Sequence, residues 1–187
     1  VVFLEDLNPE RSLNFNVNFF RKFYLKQGVL FDIDISLFNT KFSNKIIPDY
    51  DTDPNKIIYS NLNGSSTNQG TSLNFNLLTQ NGISLNLGAT FIDSYILENK
   101  TKTIPYLTER FRGVWRIEKK WISSNFRLDI SGNTTGPLRL PTLGPLDPRS
   151  TYSKTFHILN FQLSKSWDNN FEFFGGVKNL FNFTPPS

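Results

Sequence analysis

The sequence contains no cysteine, which excludes disulfides and thiolate metal sites and is neutral about compartment. It has a single histidine, His157. A hydrolytic site in a barrel needs a Ser–His or Asp–His pair. His157 instead shares strand parity with Leu159, Phe161 and Leu163, which places it on an apolar face or at its outer edge. No catalytic residue and no cofactor are expected. Long apolar runs are also missing: none approaches the roughly 18 residues of a membrane helix, and the mean hydropathy is -0.33. A helical membrane protein is thereby excluded, but a β-barrel is not, because only alternate residues of its strands must be apolar. Charge of one sign is scarce as well. The excess of 20 basic over 16 acidic residues gives a net +4 spread along the chain, with no basic cluster for nucleic acid. The opening "VVFLEDLNPE" lacks the basic, apolar and small-residue segments of a signal peptide, so the chain is expected to be a stretch of something longer.

What is present is aromatic surface on alternate positions. Hydrophobic residues make up only 38%, yet aromatics reach 15%, with 19 phenylalanines. In "ISLNLGATF", Ile83, Leu85, Leu87, Ala89 and Phe91 face one way and Ser84, Asn86, Gly88 and Thr90 the other. "SLNFNVNFF" (Ser12 to Phe20) and "SLNFNLL" (Ser72 to Leu78) repeat the pattern. Period two means strands. Eight segments show it, near 11–24, 29–45, 57–78, 83–97, 106–118, 122–134, 153–166 and 171–183. None has a helical period, and frequent Asn and β-branched residues disfavour helix further.

The connections alternate in length. "LKQG" (25–28), "TQNG" (79–82), "EKKW" (118–121) and "SWDNN" (166–170) are short; 46–56, 98–105 and 135–151 are long and polar. Short periplasmic turns alternating with long extracellular loops characterise an antiparallel up-and-down outer-membrane barrel. On that reading Phe31, Ile33, Ile35 and Leu37 meet lipid while Asp32, Asp34 and Ser36 face the lumen. Phe126, Leu128 and Ile130 likewise oppose Arg127, Asp129 and Ser131, as the cost of burying charge in a bilayer requires. Tyr24, Trp115, Trp121 and Trp167 are expected to form an aromatic girdle beside the short turns. A soluble sandwich or lipocalin-type barrel would bury the Phe face instead.

Four stretches resemble TonB-dependent outer-membrane receptors. "LNPERSLNFNVNF" (Leu7 to Phe19) is similar to the family's entry into a late barrel strand, at Pro9 and Glu10. "YSNLNGSSTNQGTSLNF" (Tyr59 to Phe75) and "IPYLTERFRGVW" (Ile104 to Trp115) resemble two further strand motifs. "GGVKNLFNFTPP" (Gly175 to Pro186) is similar to the penultimate-strand motif, carried by Gly176, Val177, Asn179, Leu180 and Phe181. The resemblance implies a barrel of about 22 strands filled by an N-terminal plug, of which this chain holds eight late strands and lacks the plug and the terminal strand. It further implies energised import, across the bacterial outer membrane, of a scarce solute such as an iron chelate, cobalamin or a glycan. The expected partners are outer-membrane lipid, the plug of the same full-length chain, the TonB complex through that plug, and the solute.

Position and chemistry nominate ligand contacts in the loops: Tyr50 and Asp51 in the first, Lys100 and Lys102 in the second, Arg139 and Arg149 in the third. "DYDTDPN" (Asp49 to Asn55) opens like a calcium loop, but Pro54 stands where Gly is needed and Ser60 where a bidentate Glu is needed. A solvated acidic loop is the better reading. Asn179 breaks the apolar parity of the last segment. It faces either the edge of the apolar band, with Phe181 and Phe183 as an outer girdle, or the lumen through a bulge. The adjacent Gly175 and Gly176 suggest a tight bend or a close approach, such as to the plug.

Three readings stay open here: part of a receptor barrel, a self-contained eight-stranded structural or adhesive barrel, and a soluble barrel binding protein. Detergent dependence separates them. The intact protein is expected to stay folded and monomeric only in detergent or lipid, and a folded monomer in plain buffer, seen by sedimentation and circular dichroism, would refute both membrane readings.

Overall fold

The computed structural model describes residues 2–3, 6–50, 52–53, 55–141, 144, 146, 148–167 and 171–184. Eight long strands form one antiparallel sheet: β2 (Arg11–Tyr24), β3 (Leu30–Ser43), β6 (Gly64–Leu78), β7 (Ile83–Glu98), β9 (Phe111–Trp121), β10 (Phe126–Thr135), β11 (Phe156–Trp167) and β12 (Phe171–Val177). Each long strand pairs with the next in the chain, so the sheet is an up-and-down meander. A short β8 (Thr101–Thr103) folds back on β7. At the loop end, β1 (Val2–Phe3), β5 (Ile58–Asn61) and β4 (Ile46–Asp49) make a separate small sheet.

One row of paired residues shows why these segments are strands of one surface. Phe23, Phe31, Leu77, Leu85, Ile117, Ile130, Phe161 and Val177 oppose one another in turn across all eight long strands. One residue away, on the other face, runs Lys22, Asp32, Asn76, Asn86, Arg116, Ser131 and Asn160. The sheet is apolar on one face and polar on the other, and a one-residue slip of any strand would exchange them.

Among the described residues, nothing packs over the apolar face. Among the described residues only Ile58 and Leu62 are buried hydrophobics, at 9% and 4% exposure, and both belong to the small sheet and its exit. Phe15 is 67% exposed. A soluble sheet with such a face would cover it, so the soluble-barrel reading fails and the apolar face is outward, toward lipid. The self-contained eight-stranded barrel fails too, because β2 and β12 are the two opposite edges of an open sheet. Open edges do not survive in hydrocarbon, so further strands must complete the barrel.

Strand tilt follows from the register. The row from Tyr24 passes Leu30, Leu78, Ser84, Glu118 and Asp129 to Gln162. Tyr24 is the last residue of β2, whereas β11 continues five residues past Gln162 to Trp167 (167 − 162). Five residues over six strand steps correspond to a tilt of roughly 30°.

Several boundaries differ from expectation. The turn between β9 and β10 is Ile122–Asn125, not 118–121: Glu118 opposes Asp129 inside the ladder, and the left-handed residue the turn needs is Asn125, at φ 52. The β2–β3 turn uses Gln27 (φ 62) and Gly28 (φ 65), and the β6–β7 turn uses Gly82 (φ 74), as their sequences suggest. Asp168 to Asn170 of the last short turn lie outside the described residues. The segment at 57–78 breaks at Leu62–Asn63 into β5 and β6, and β9 begins at Phe111 rather than at 106. The long loops carry β4 and β8, and the third runs on to the start of β11 at Phe156.

The girdle also needs revision. Trp121 and Trp167 do sit by the short turns, with Lys119 and Lys165 over their rings at 5.9 and 5.6 Å and Arg21 over Phe23 at 5.6 Å. Trp115, in contrast, lies mid-sheet between Leu87 and Gly132, its ring occupying the space that a side chain at Gly132 would fill. Tyr24 has inner-face parity. Leu87→Arg, at the middle of the apolar band on β7, is expected to destabilise the lipid-embedded barrel by about 2–4 kcal/mol. Asn16→Lys on the inner face should leave it near wild type, both read by urea unfolding in vesicles, and equal losses would contradict the face assignment.

Candidate functional site

The inner wall is a closed polar network. Asn86 donates to Asn76 at 2.7 Å and Asn76 to buried Asp32 at 2.7 Å. Ser36 donates to Asn18 at 2.6 Å, Ser72 and Thr90 share a bond of 3.0 Å, and Ser94 donates to Asn68 at 2.8 Å. Farther along, Arg116 bridges Asp129 and Glu118, and Arg127 reaches Glu172 at 2.8 Å. Among the described residues no buried side-chain polar atom lacks a partner. This wall holds its shape through its own pairs and presents polar groups to whatever fills the barrel. His157 is on the outward face, bonded through Nδ1 to Thr134 at 2.8 Å.

At the loop end the small sheet rides on the inner face. The Lys45 ammonium reaches Ser66, the most buried side chain, at 3.4 Å, and Leu62 N–H donates to the Lys45 carbonyl at 2.7 Å. Glu10 accepts from Ile46 N–H at 2.8 Å, and Asn61 ties down Asn8 and Asn44 at 2.9 and 2.8 Å. The motif at Pro9 and Glu10 thus pins the start of β4 to the entry of β2.

Tyr50 follows β4 directly and meets the ring of Tyr106 edge-on, with centroids 5.6 Å apart at 89°. The Arg139 guanidinium lies 4.2 Å over the same Tyr106 ring. It donates to the Tyr106 hydroxyl at 3.1 Å and to the Ile104 carbonyl at 2.6 Å. Leu107, at φ 54, turns its N–H to the Arg139 carbonyl at 2.8 Å. Three loops therefore converge on Tyr106, a residue absent from the sequence-based candidates because its segment was expected to be strand. Its signal was available: an aromatic directly after Pro105, before a polar Thr-Glu-Arg.

The other candidates lie elsewhere. Lys100, at φ 65, is the exposed second residue of the β7–β8 turn. Lys102 is on the outward face, 3.7 Å from Asp93 and 3.9 Å over the Tyr95 ring. Arg149 donates to the Pro141 carbonyl at 3.1 Å and borders a cleft of about 410 Å³ with Leu140, Tyr152, Phe156 and Phe183. Asp51 lies outside the described residues, as does Pro54. The remaining acids of that loop serve their own backbone. Asp49 accepts from Thr52 N–H at 3.1 Å, and Asp53 from Asn55 N–H at 2.9 Å. The Asn55 amide, and then Lys56, hold the Asp53 carboxyl below the usual carboxylate range.

The C-terminal motif is a strand end followed by a turn. At Gly176 a side chain would strike the Phe161 carbonyl, so the close approach expected of this glycine pair is to β11; Gly175 has open space around it. β12 stops at Val177, not at 183. Asn179, at φ 52, is a turn residue rather than an outward or inward strand position. Its N–H donates to Asn160 at 3.0 Å, and its amide exchanges bonds with Phe183 at 2.8 and 3.0 Å. Leu180 N–H returns to the Leu159 carbonyl at 2.7 Å. Phe183 stacks on Phe156 at 4.4 Å instead of forming a strand girdle, and Phe181 is exposed.

A family model described as "TonB dependent receptor-like, beta-barrel" matches residues 2–180. The chain belongs to the TonB-dependent receptors. Solved receptor structures share the fold of this barrel stretch at low identity. The ferric-catecholate import receptor Fiu of Escherichia coli K12 superposes with a TM-score of 0.67 at 14% identity, over 95% of this chain and 24% of its own. The FrpB iron transporter of Neisseria meningitidis gives 0.67 at 14%, over 98% and 28%. The siderophore receptor PirA of Acinetobacter baumannii gives 0.69 at 14%, over 95% and 28%. The chain thus spans about a quarter of the length of the receptors it resembles. No curated protein matches it.

In this receptor barrel, Tyr106→Ala should free Arg139 and raise tryptic cleavage after it by about tenfold, the loss of one cation–ring contact and one charged hydrogen bond. Tyr106→Phe, which keeps the ring, should fall between. Identical cleavage in wild type and both variants would show that the ring does not hold the guanidinium.

Proposed function

We propose that this stretch forms late wall strands and external loops of a receptor that imports an iron chelate across the bacterial outer membrane. The short turns lie in the periplasm and the long loops outside. The plug, supplied by the full-length chain, couples transport to the TonB complex. No bond is made or broken by the wall; its role is to bind, orient and pass the solute.

The observation that carries this reading is the convergence of Tyr50, Tyr106 and Arg139 from three loops at the loop end. A cation held among aromatic rings suits an anionic chelate built of aromatic rings: the guanidinium supplies positive charge and the rings supply contact area. The similarity to receptors for ferric catecholates and other iron compounds favours iron chelates over cobalamin or a glycan. The Arg149 cleft, with Tyr152 and Phe156, adds a second cationic and aromatic surface at the same end.

In the full-length receptor, Arg139→Ala is expected to weaken binding of a ferric tris-catecholate by roughly 10- to 100-fold, with Arg139→Lys recovering part of it. Fluorescence quenching measures the affinity, and TonB-dependent growth on that chelate under iron restriction measures import. Unchanged affinity and growth in Arg139→Ala would remove this cluster from the ligand path.

A further inference from the structure

The outward face does not stay apolar to the loop end. On β3 the outward residues are Phe31, Ile33, Ile35 and Leu37, then Asn39, Lys41 and Ser43; on β6, Leu77, Phe75 and Leu73 give way to Gln69, Thr67 and Ser65. A ladder marks the change: Asn39 donates to Gln69 at 3.0 Å, Gln69 to Asp93 at 3.3 Å, and Lys102 pairs with Asp93 at 3.7 Å. The tilt carries this boundary across the rows. On β2 the face remains apolar through Phe15 and Leu13 and turns cationic at Arg11. From Phe31 to Lys41 the strand rises roughly 28 Å along the barrel axis at the tilt derived above, about the height of the apolar band of such barrels. Lys41 and Arg11 therefore stand where hydrocarbon gives way to headgroups.

These two cations border one concavity. A cleft of about 320 Å³ is lined by Arg11, Ser12, Leu13, Lys41, Phe42, Ser43 and Ser65; Arg11, Leu13, Lys41 and Ser43 share the outward parity across β2 and β3, Ser65 continues it on β6, and Ser12 and Phe42 belong to the other face. Neither Arg11 nor Lys41 has an ion-pair partner among the described residues. The nearest acid in sequence, Glu10, is engaged by Ile46 N–H, and Asp93 by Lys102 and Gln69. Two cations with no ion-pair partner among the described residues, and the Ser43 and Ser65 hydroxyls, thus sit beside Leu13, with Phe15 next along the outward face of β2. That order of chemistry, from acyl chain to phosphate, is the order of a lipid at the membrane surface.

We infer that the Arg11–Lys41 cleft is a docking site for a phosphate-bearing lipid headgroup of the outer leaflet. The inference rests on the proposed orientation, with the long loops outside. Lipid docked there would brace the β2–β3 edge of the loop end, beside the small sheet that Glu10 pins.

The test uses the full-length receptor in detergent, loaded with bisphosphorylated lipid A and read by native mass spectrometry. Arg11→Ala/Lys41→Ala is expected to bind that lipid roughly thirtyfold more weakly, while Arg11→Lys/Lys41→Arg retains it and both variants keep the heat-modifiable mobility of a folded barrel. Undiminished binding by the alanine variant, or equal binding of lipid A stripped of its phosphates, overturns the inference. Displacement of the lipid by equimolar inorganic phosphate would assign the cleft to free anion rather than to lipid, and also overturns it. Labelling of Lys100→Cys on intact cells with an impermeant maleimide separates the two layers. Without labelling the orientation falls and the lipid site with it; with labelling but unchanged lipid binding, only the lipid site falls.

Discussion

Cross-strand register is the constraint on which the rest of this structure depends. The apolar row from Phe23 to Val177 and the polar row from Lys22 to Asn160 are one residue apart on every strand they share. In a soluble sheet a mismatch on one strand spoils part of a core. Here it would place Asp32, Asn76 or Arg116 in hydrocarbon, where polar groups find no water. The penalty applies to each strand separately, so each carries its own alternation. The alternation is accordingly clearest where the strand crosses the apolar band and fades above it, at Asn39, Gln69 and Asp93.

The inner wall and the loop end follow from that register in different ways. Once the polar residues face inward they are close enough to satisfy one another across strands, and they do: the Asp32–Asn76–Asn86 chain and the Arg116–Asp129 and Arg127–Glu172 pairs use short, local partners. The loops solve a different problem. Beyond the short ladders of β4 with β5 and β8 with β7, they are held by side chains that cap backbone: Glu10 on Ile46, Asn61 on Asn8 and Asn44, Arg139 on Ile104, Asn179 on Phe183. Glu10 and Asn179 are among these caps, and at Gly176 a side chain would strike the neighbouring Phe161 carbonyl.

Legibility in the sequence tracked the range of the interaction involved. The strands, the inward and outward faces and the left-handed turn residues at 27–28 and 82 depend on alternation and local backbone preference, which a chain displays without folding. The boundaries that went astray involve competition between local readings. "EKKW" is polar enough to be a turn, but Glu118 is an inner-wall residue and "ISSN" supplies the left-handed Asn125. "YLTER" alternates like a strand, but Leu107 at φ 54 and the pull of Arg139 make it a loop. Asn179 read as a strand residue of awkward polarity, whereas its three hydrogen bonds close a turn.

By itself the sequence determined an antiparallel meander with one face for lipid and one for a polar interior, because a strand's two faces are written in its odd and even residues. It also determined membership in a receptor family, which the family model matches over residues 2–180. The resemblance already implied a larger barrel; the tertiary structure decided that these eight strands do not close on themselves, since closure depends on whether β2 and β12 meet. It alone decided which loop residues gather: Tyr50, Tyr106 and Arg139 come from three separate loops, and no local pattern records a contact between residues so far apart in the chain. The same holds for Lys102, a loop candidate by position, which the fold of β8 back onto β7 turns to the outer surface.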